Sequence, residues 1–169
     1  VALTSIYWRE TWKYGERAFR YCMHDVGHAI AAVTIAAAAM GWQTRLLETV
    51  SDADLATLLG IAGQAEDPDE QMQIEAEHPD CLLALYPSGD PPGSNAFSHF
   101  AATEVAAANL QPPAGEPNRL SSDHHVWPII DTVAAASERY DPPAATFWQP
   151  RATDRDLSSA VHLVTPSPP

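Results

Sequence analysis

The stretch from Gly15 to Met40 constrains the fold of this chain more than any other, because it contains no proline. Its acidic residues, Glu16 and Asp25, fall early, and seven alanines crowd its second half. This pattern predicts a helix of about 25 residues, about 37 Å long at 1.5 Å per residue, that ends at Gly41. Because its second half is apolar on every side, we expect it to be buried all round, at the centre of a large domain or in a subunit interface.

Composition indicates one globular domain and disfavours two classes of partner. The chain has 169 residues, 46% of them hydrophobic, with nine basic and 22 acidic residues and a formal charge of −13. Such a surface repels phosphate backbones and anionic lipids, so we expect neither a nucleic-acid nor a membrane partner. The longest apolar run, 29–40, is shorter than the roughly 20 residues that span a bilayer. Cys22 and Cys81 are too few for a disulfide scaffold, which predicts a cytoplasmic protein with buried, inert thiols.

Strand-like and helix-like patterns alternate along the rest of the chain. Runs of β-branched, aromatic or continuously apolar residues predict strands, and capped runs without internal breakers predict helices. The predicted strands are residues 3–8, a short strand within 42–50, and 81–86. The predicted helices are one capped by Ser51 that ends at Leu59, one over 95–109, and one over 121–139 capped by Ser121 or Ser122. This alternation is typical of an α+β domain.

Two segments differ in composition from the rest. Residues 66–80 carry seven acidic residues and no basic one, which predicts a solvated surface insertion; the central glycine of a calcium loop is missing. Residues 140–169 hold six of the fifteen prolines and are predicted to be a linker after a domain over 1–139. Because the chain begins with Val1 and ends in a proline-rich run, we expect it to be a piece of a longer protein.

The residues most suited to chemistry lie just before the long helix. Four of the nine basic residues fall between positions 9 and 20, and Lys13, the only lysine, precedes Tyr14. Both groups can move protons if burial lowers the pKa of the lysine and a cation lowers that of the tyrosine. The alternative is an exposed lysine beside a tyrosine that only packs.

The run 12–22 (Trp-Lys-Tyr-Gly-Glu-Arg-Ala-Phe-Arg-Tyr-Cys) carries a family resemblance, together with His24-Asp25, Gly27-His28-Ala29 and Gly41-Trp42. These residues resemble the nitroreductase-like, SagB-type dehydrogenases, flavoenzymes that include the azoline oxidases of thiazole and oxazole peptide biosynthesis. The run 117–121 with Trp127-Pro128 is similar to the end of a module in tandem members. The matching runs are spread from about residue 5 to residue 135.

The resemblance implies an FMN-dependent oxidoreductase that acts on a small-molecule or peptide substrate. It implies the nitroreductase-like α+β fold, whose long central helix packs across the interface of a homodimer or against a second module of the same chain. It assigns dehydrogenation to Lys13 and Tyr14, where a base takes a proton while a hydride leaves for the flavin. It assigns cofactor contacts to Arg17 and to the segment after the helix, namely Gln43, Thr44 and Arg45.

One departure from the family pattern opens a second hypothesis. The family holds the FMN phosphate with an arginine- and serine-rich motif near the start of the module, and no Arg-Arg-Ser or Arg-x-Ser run occurs here before the late run Arg119-Leu120-Ser121. We therefore expect this chain to be the C-terminal portion of a module, with that motif before Val1. The alternative is a non-catalytic structural half of a tandem nitroreductase-like protein.

A third hypothesis is a metal-dependent hydrolase. On a helix, His24 and His28 share a face at i and i+4 and could chelate one cation, with Asp25 in the place of a glutamate base. Aspartate is one methylene shorter than glutamate, and no third ligand is fixed by spacing. Two helix histidines packed in an interface are the structural alternative.

Overall fold

Three strands form an antiparallel sheet with the last strand in the middle, in a computed structural model that describes residues 1–64, 74–89 and 125–140. The strands are β1 (Ala2–Ser5), β2 (Trp42–Leu46) and β3 (His78–Pro87), in the order β1-β3-β2. The helices are α1 (Trp8–Tyr14), a 3₁₀ turn (Gly15–Arg17), α2 (Ala18–Ala39), α3 (Asp52–Leu59) and α4 (Pro128–Ser137). This arrangement fits the predicted α+β class.

The first strand ends earlier than predicted. β1 stops at Ser5, and the predicted strand residue Trp8 instead begins α1, which the sequence did not predict as a helix. The chain turns here because the amide of Arg9 donates to the carbonyl of Ile6, at 3.1 Å. The side chain of Tyr7 is buried at this turn. Burial of an aromatic ring thus outweighs the strand preference of the segment.

The long helix is confirmed in its position. Its first turn is the 3₁₀ turn, α2 then runs from Ala18 to Ala39, and Gly41 with φ +76° follows its end. In the described part of the chain its buried residues are Ala18, Cys22 and Ala37, so this chain alone does not bury it all round, and its burial in a subunit interface stays a prediction. Ile35 is 71% exposed. The helix packs on the other elements along one stripe and leaves an apolar face outside.

The exclusion of a membrane span on length is also wrong. The helical stretch Trp8–Ala39 has 32 residues and contains an 18-residue window with a mean hydropathy of 1.3, of which 11% is buried. By length and composition alone, this stretch is long and apolar enough to cross a membrane. Core helices of soluble proteins and signal sequences satisfy the same criterion. The absence of a membrane partner therefore stays a prediction.

The acidic segment is not a surface insertion where it is described. Residues 78–80 belong to β3, which is longer than the predicted strand over 81–86. Glu75 has a side chain only 8% exposed, and one of its oxygens lies 3.6 Å from the Arg9 guanidinium. Glu77 accepts a hydrogen bond from the hydroxyl of Thr4. The start of the chain thus supplies partners for these carboxylates, and residues 66–73 lie outside the described ranges.

A bulge interrupts the pairing of β1 with β3. Leu3 lies opposite Cys81 whereas Thr4 lies opposite Pro79, so Asp80 is the extra residue on β3. Pro79 has no amide proton to donate to the ladder, which favours an irregular register here. The hydroxyl of Ser5 donates to the carboxylate of Asp80 at 2.7 Å.

The two later helices are confirmed to different degrees. α3 is as predicted, because the Ser51 hydroxyl accepts from the amide of Asp54 at 3.1 Å and Gly60 follows its end. α4 begins at Pro128 rather than near residue 121, with residues 125–127 non-helical. A residue before proline disfavours helical geometry, and proline itself suits the first helical position. Residues 121–124, the predicted helix 95–109 and the linker residues from 141 onward lie outside the described ranges.

Two apolar clusters hold these elements together. One joins α1, α2 and α4 through Tyr7, Ala18, Cys22 and Ile130. The other lies beneath α3 and consists of Leu47, Val50 and Leu55 with neighbours from the sheet. Both clusters leave Lys13, Arg17 and Arg20 exposed among the described residues, and it is there that the candidate site lies.

Candidate functional site

Lys13 and Tyr14 close the last turn of α1 at the surface. The Lys13 ammonium lies 5.0 Å from the centroid of the Tyr14 ring. A hydrogen bond with the Tyr14 side chain, assisted by its electrostatic field, raises the pKa of Lys13. Lys13 is exposed, so the burial that would lower its pKa is absent. At neutral pH Lys13 is therefore a proton-carrying cation beside a phenol, and not a free base.

The glycine of this motif has a packing role that the sequence did not reveal. Gly15 ends α1 with φ +56°, a conformation that L side chains rarely adopt. A Cβ at this position would lie 3.3 Å from the indole of Trp127. Trp127 thus packs against the turn that follows Lys13 and Tyr14. In the sequence it lies far from these residues, in the later of the runs that carry the family resemblance.

An aromatic row continues from Tyr14 along the start of α2. The rings of Tyr14 and Tyr21 stack with centroids 3.9 Å apart at 19°, and the rings of Tyr21 and His24 lie edge to face at 6.5 Å. We call Tyr14, Tyr21 and His24 the aromatic row. Sequence analysis did not assign a role to Tyr21. Its spacing of three residues from His24, which places these two rings on one face of the predicted helix, was the available signal.

The predicted cofactor residues fall into two groups. Gln43, Thr44 and Arg45 lie on β2, beside the second half of α2. The hydroxyl of Thr44 donates to that of Thr34 at 2.9 Å. Thr34 lies 17 residues beyond Arg17, about 25 Å along the axis at 1.5 Å per residue. One chain therefore does not bring Lys13, Tyr14 and Arg17 together with residues 43–45.

The residue types near the start of α2 suit a flavin, but the three cavities described below do not enclose them. Lys13, Arg17 and Arg20 are exposed cations of the kind that bind phosphate, and the aromatic row suits a flat ring. Three cavities lined by described residues have volumes of about 390, 250 and 510 Å³, and none of them is lined by Lys13, Tyr14 or residues 43–45. A flavin held here needs a second surface to cover it.

The predicted metal group is open and incomplete. His28 Nδ1 lies 3.8 Å from Asp25 Oδ1, with side chains 85% and 75% exposed. His24 lies one turn earlier and is exposed. Within residues 1–64, 74–89 and 125–140, no three histidine, cysteine or acidic side chains are grouped to hold a metal ion.

Both cysteines are free and buried, as predicted. Burial, together with nearby carboxylates, raises the pKa of Cys22 to about 11. Burial also raises the pKa of Cys81. The raised pKa values disfavour the thiolate form of both side chains, in keeping with the predicted packing role.

These features fit an α+β domain, and a comparison with known proteins found a family match over less than half of the chain. Residues 2–73 match the model of the Nitroreductase family. The matched stretch runs from β1 past α3 and contains every predicted catalytic, cofactor and metal residue. No curated protein and no solved structure matches the chain significantly. The family match supports an oxidoreductase, because members of that family generally use flavin cofactors.

Proposed function

We propose that this protein is an FMN-dependent oxidoreductase of the SagB dehydrogenase type, acting on a small-molecule or peptide substrate. The observation that carries the proposal is the hydrogen-bonded pair of the exposed Lys13 and the partly buried Tyr14 within the stretch that matches the Nitroreductase family. The aromatic row and the neighbouring cations Arg17 and Arg20 support it, because a flavin presents a flat ring and a phosphate.

In this proposal the pair handles the proton. A bound flavin supplies the redox chemistry by accepting a hydride. The raised pKa of Lys13 keeps its ammonium charged at neutral pH. That charge stabilises negative charge that develops on the Tyr14 oxygen. Tyr14 is therefore the group that transfers the proton, and Lys13 the group that supports it.

We further propose that the site is completed across a two-fold interface, either in a homodimer or with a second module of the same chain. Two findings support this. The outer face of α2 is apolar and exposed, and the two groups of predicted cofactor residues lie about 25 Å apart along it. Antiparallel packing of two such helices places the start of one beside the end of the other. The free, buried cysteines support a cytoplasmic location.

A structural half of a tandem protein is the second candidate. It is favoured by the open position of these residues in the described part of the chain, since none of the three cavities given above is lined by Lys13, Tyr14 or residues 43–45. In that case the flavin lies on another module, and α2 serves only as a packing surface.

The visible absorption spectrum of the intact protein tests the first proposal. We expect flavin bands that bleach without oxygen when an azoline-bearing peptide is added, because oxidation of the azoline to an azole reduces the flavin. A Lys13→Ala, Tyr14→Phe double variant should keep the bands and lose the bleaching. Tyr140→Phe, which changes an exposed tyrosine outside the site, is the matched control.

Two outcomes distinguish the candidates. A protein without flavin bands would contradict the dehydrogenase. Flavin bands that bleach equally in the wild type and in the double variant would instead support the structural half, with catalysis on another module.

A further inference from the structure

A cavity of about 510 Å³ lies between α1, the start of β3 and α4, away from the site described above. Its aromatic walls are Tyr7, Trp8 and Trp127, and aliphatic side chains from α4 and from the residues just before β3 and α4 form most of the remainder. This volume lies within the range of pockets that bind small molecules. The cavity is thus apolar inside and large enough for a compact ring system.

The charges around this cavity have one sign. Its charged lining residues in the described part of the chain are Asp131 and Glu138, and no lysine or arginine lines it there. Asp131 lies in the first turn of α4 and Glu138 directly follows the last residue of that helix, and both side chains are exposed. The carboxylates are therefore at the rim, while the aromatic rings are deeper.

The histidine inside the cavity does not offset this charge. His78 stacks on Tyr7 with ring centroids 4.4 Å apart at 22°. Burial lowers the pKa of His78, so its imidazole is mainly neutral at pH 7. The described lining thus favours a ligand with a positive end and a flat apolar body, because aromatic faces also attract cations.

We propose that this cavity binds an organic cation of the arylalkylamine class, with its ring among Tyr7, Trp8 and Trp127 and its ammonium group at the acidic rim to which Asp131 and Glu138 belong. The proposal is independent of the flavin site. It concerns a different set of residues and needs neither a second module nor a bound cofactor.

Isothermal titration calorimetry of the intact protein with tryptamine and with indole-3-propionate tests the proposal. The two probes share the indole ring and differ in the sign of their charge. We expect tryptamine to bind and indole-3-propionate to bind at least tenfold more weakly. The Asp131→Asn, Glu138→Gln double variant should weaken tryptamine binding about threefold to tenfold, as expected for exposed ion pairs. Glu48→Gln, an exposed charge change outside the cavity, should have no effect.

A pair of variants on α4 locates the binding. Ala135 lines the cavity and Ala136 does not, although both are exposed alanines of the same helix. Ala135→Trp should abolish tryptamine binding, and Ala136→Trp should leave it unchanged. Circular dichroism verifies that both variants are folded. Absence of tryptamine binding to the wild type, equal binding of the two probes, or equal binding by the two tryptophan variants would overturn the proposal.

Discussion

Asp80 lies at the bulge of β3 with a half-buried carboxyl group. Burial raises its pKa to about 6, although the hydrogen bond from Ser5 acts in the opposite direction. The neighbouring carboxylate of Asp52 raises it further. Ionised Asp80 therefore destabilises the folded protein, because its charge is partly removed from water. For this reason the free energy of unfolding depends on pH.

The sign of this dependence follows from the raised pKa. Below the unfolded pKa of 3.8 both states bind the proton, and between there and about 6 the folded state binds it more tightly. The stabilisation that comes from tighter proton binding by folded Asp80 is therefore fully present at acidic pH, and it is lost as pH rises through about 6. We expect Asp80→Asn to raise the free energy of unfolding at pH 7.5 by about 1 kcal/mol, after allowance for solvent screening, and to leave it unchanged near pH 3.5.

Urea unfolding at several pH values measures this difference. Asp25→Asn, which changes an exposed carboxylate, is the control and should follow the wild-type profile. Burial lowers the pKa of His78, whose contribution is lost as pH falls below 6.5, so the difference between Asp80→Asn and the wild type is the quantity to compare. An equal gain at both pH values would contradict the assignment.

Gly15 gives a second prediction at this scale. Gly15→Ala should lower the free energy of unfolding by about 1–3 kcal/mol, because it combines a positive φ with a close approach to Trp127. Gly41→Ala separates the two causes, since Gly41 also has a positive φ but has nothing within 4 Å of the point where an alanine methyl group would lie. Thermal unfolding should show a larger loss for Gly15→Ala. Equal losses would show that Trp127 contributes nothing.

Sequence reasoning found the reactive pair and missed what surrounds it. Lys13 and Tyr14 were identified by their adjacency and their motif. The contact of Trp127 with Gly15 joins residues more than a hundred positions apart, and no local pattern encodes it. The exposure of Lys13 likewise depends on which elements pack around α1, which the sequence alone did not show.

Among the helices, α3 and α4 are joined at their ends by one carboxylate. Asp52, in the first turn of α3, accepts hydrogen bonds from the backbone amide of Arg139 at 2.9 Å and from its guanidinium at 3.3 Å. The amide of Asp52 donates in return to the carbonyl of Arg139 at 3.2 Å. This reciprocal set fixes the end of α4 against the start of α3.

Removing that carboxylate should loosen α4. We expect Asp52→Ala to cost about 1–2 kcal/mol of stability, since it deletes a charge-assisted pair and leaves a half-buried guanidinium without it. Hydrogen exchange of residues 128–137 should accelerate. Asp54→Ala, which removes an acidic residue from the same first turn without touching α4, should leave that exchange unchanged. Equal acceleration in both variants would show that Asp52 acts only within α3.

The elements that were predicted well are those whose ends are set by neighbouring residues in the sequence. Ser51 and Gly60 delimit α3, and the proline-free run with Gly41 delimits α2. The errors arose where contacts with residues distant in the sequence determine the local structure. The turn at Tyr7 forms because its ring is buried, and the acidic residues 75–80 are ordered because Thr4, Ser5 and Arg9 pair with them.

For the whole molecule, the exposed face of α2 is the feature that most affects behaviour. We expect the homodimer, if it forms through this face, to dissociate on Ile35→Glu, because a charge at a 71% exposed apolar position is tolerated in the monomer and is buried in the dimer. Light scattering should report half the wild-type mass. Ala53→Glu, an exposed change on α3, is the control. A wild-type monomer would contradict the homodimer, and an unchanged mass for Ile35→Glu would place the interface elsewhere.

The distance between the two ends of α2 also has a genetic consequence. When each site takes Lys13 from one copy and Arg45 from the other, a substitution in one copy of a dimer damages only the site to which that residue contributes. Two inactive alleles, Lys13→Ala and Arg45→Ala, would then complement each other when co-expressed. A mixed dimer would carry one doubly damaged site and one intact site, so up to half of the activity per dimer would return.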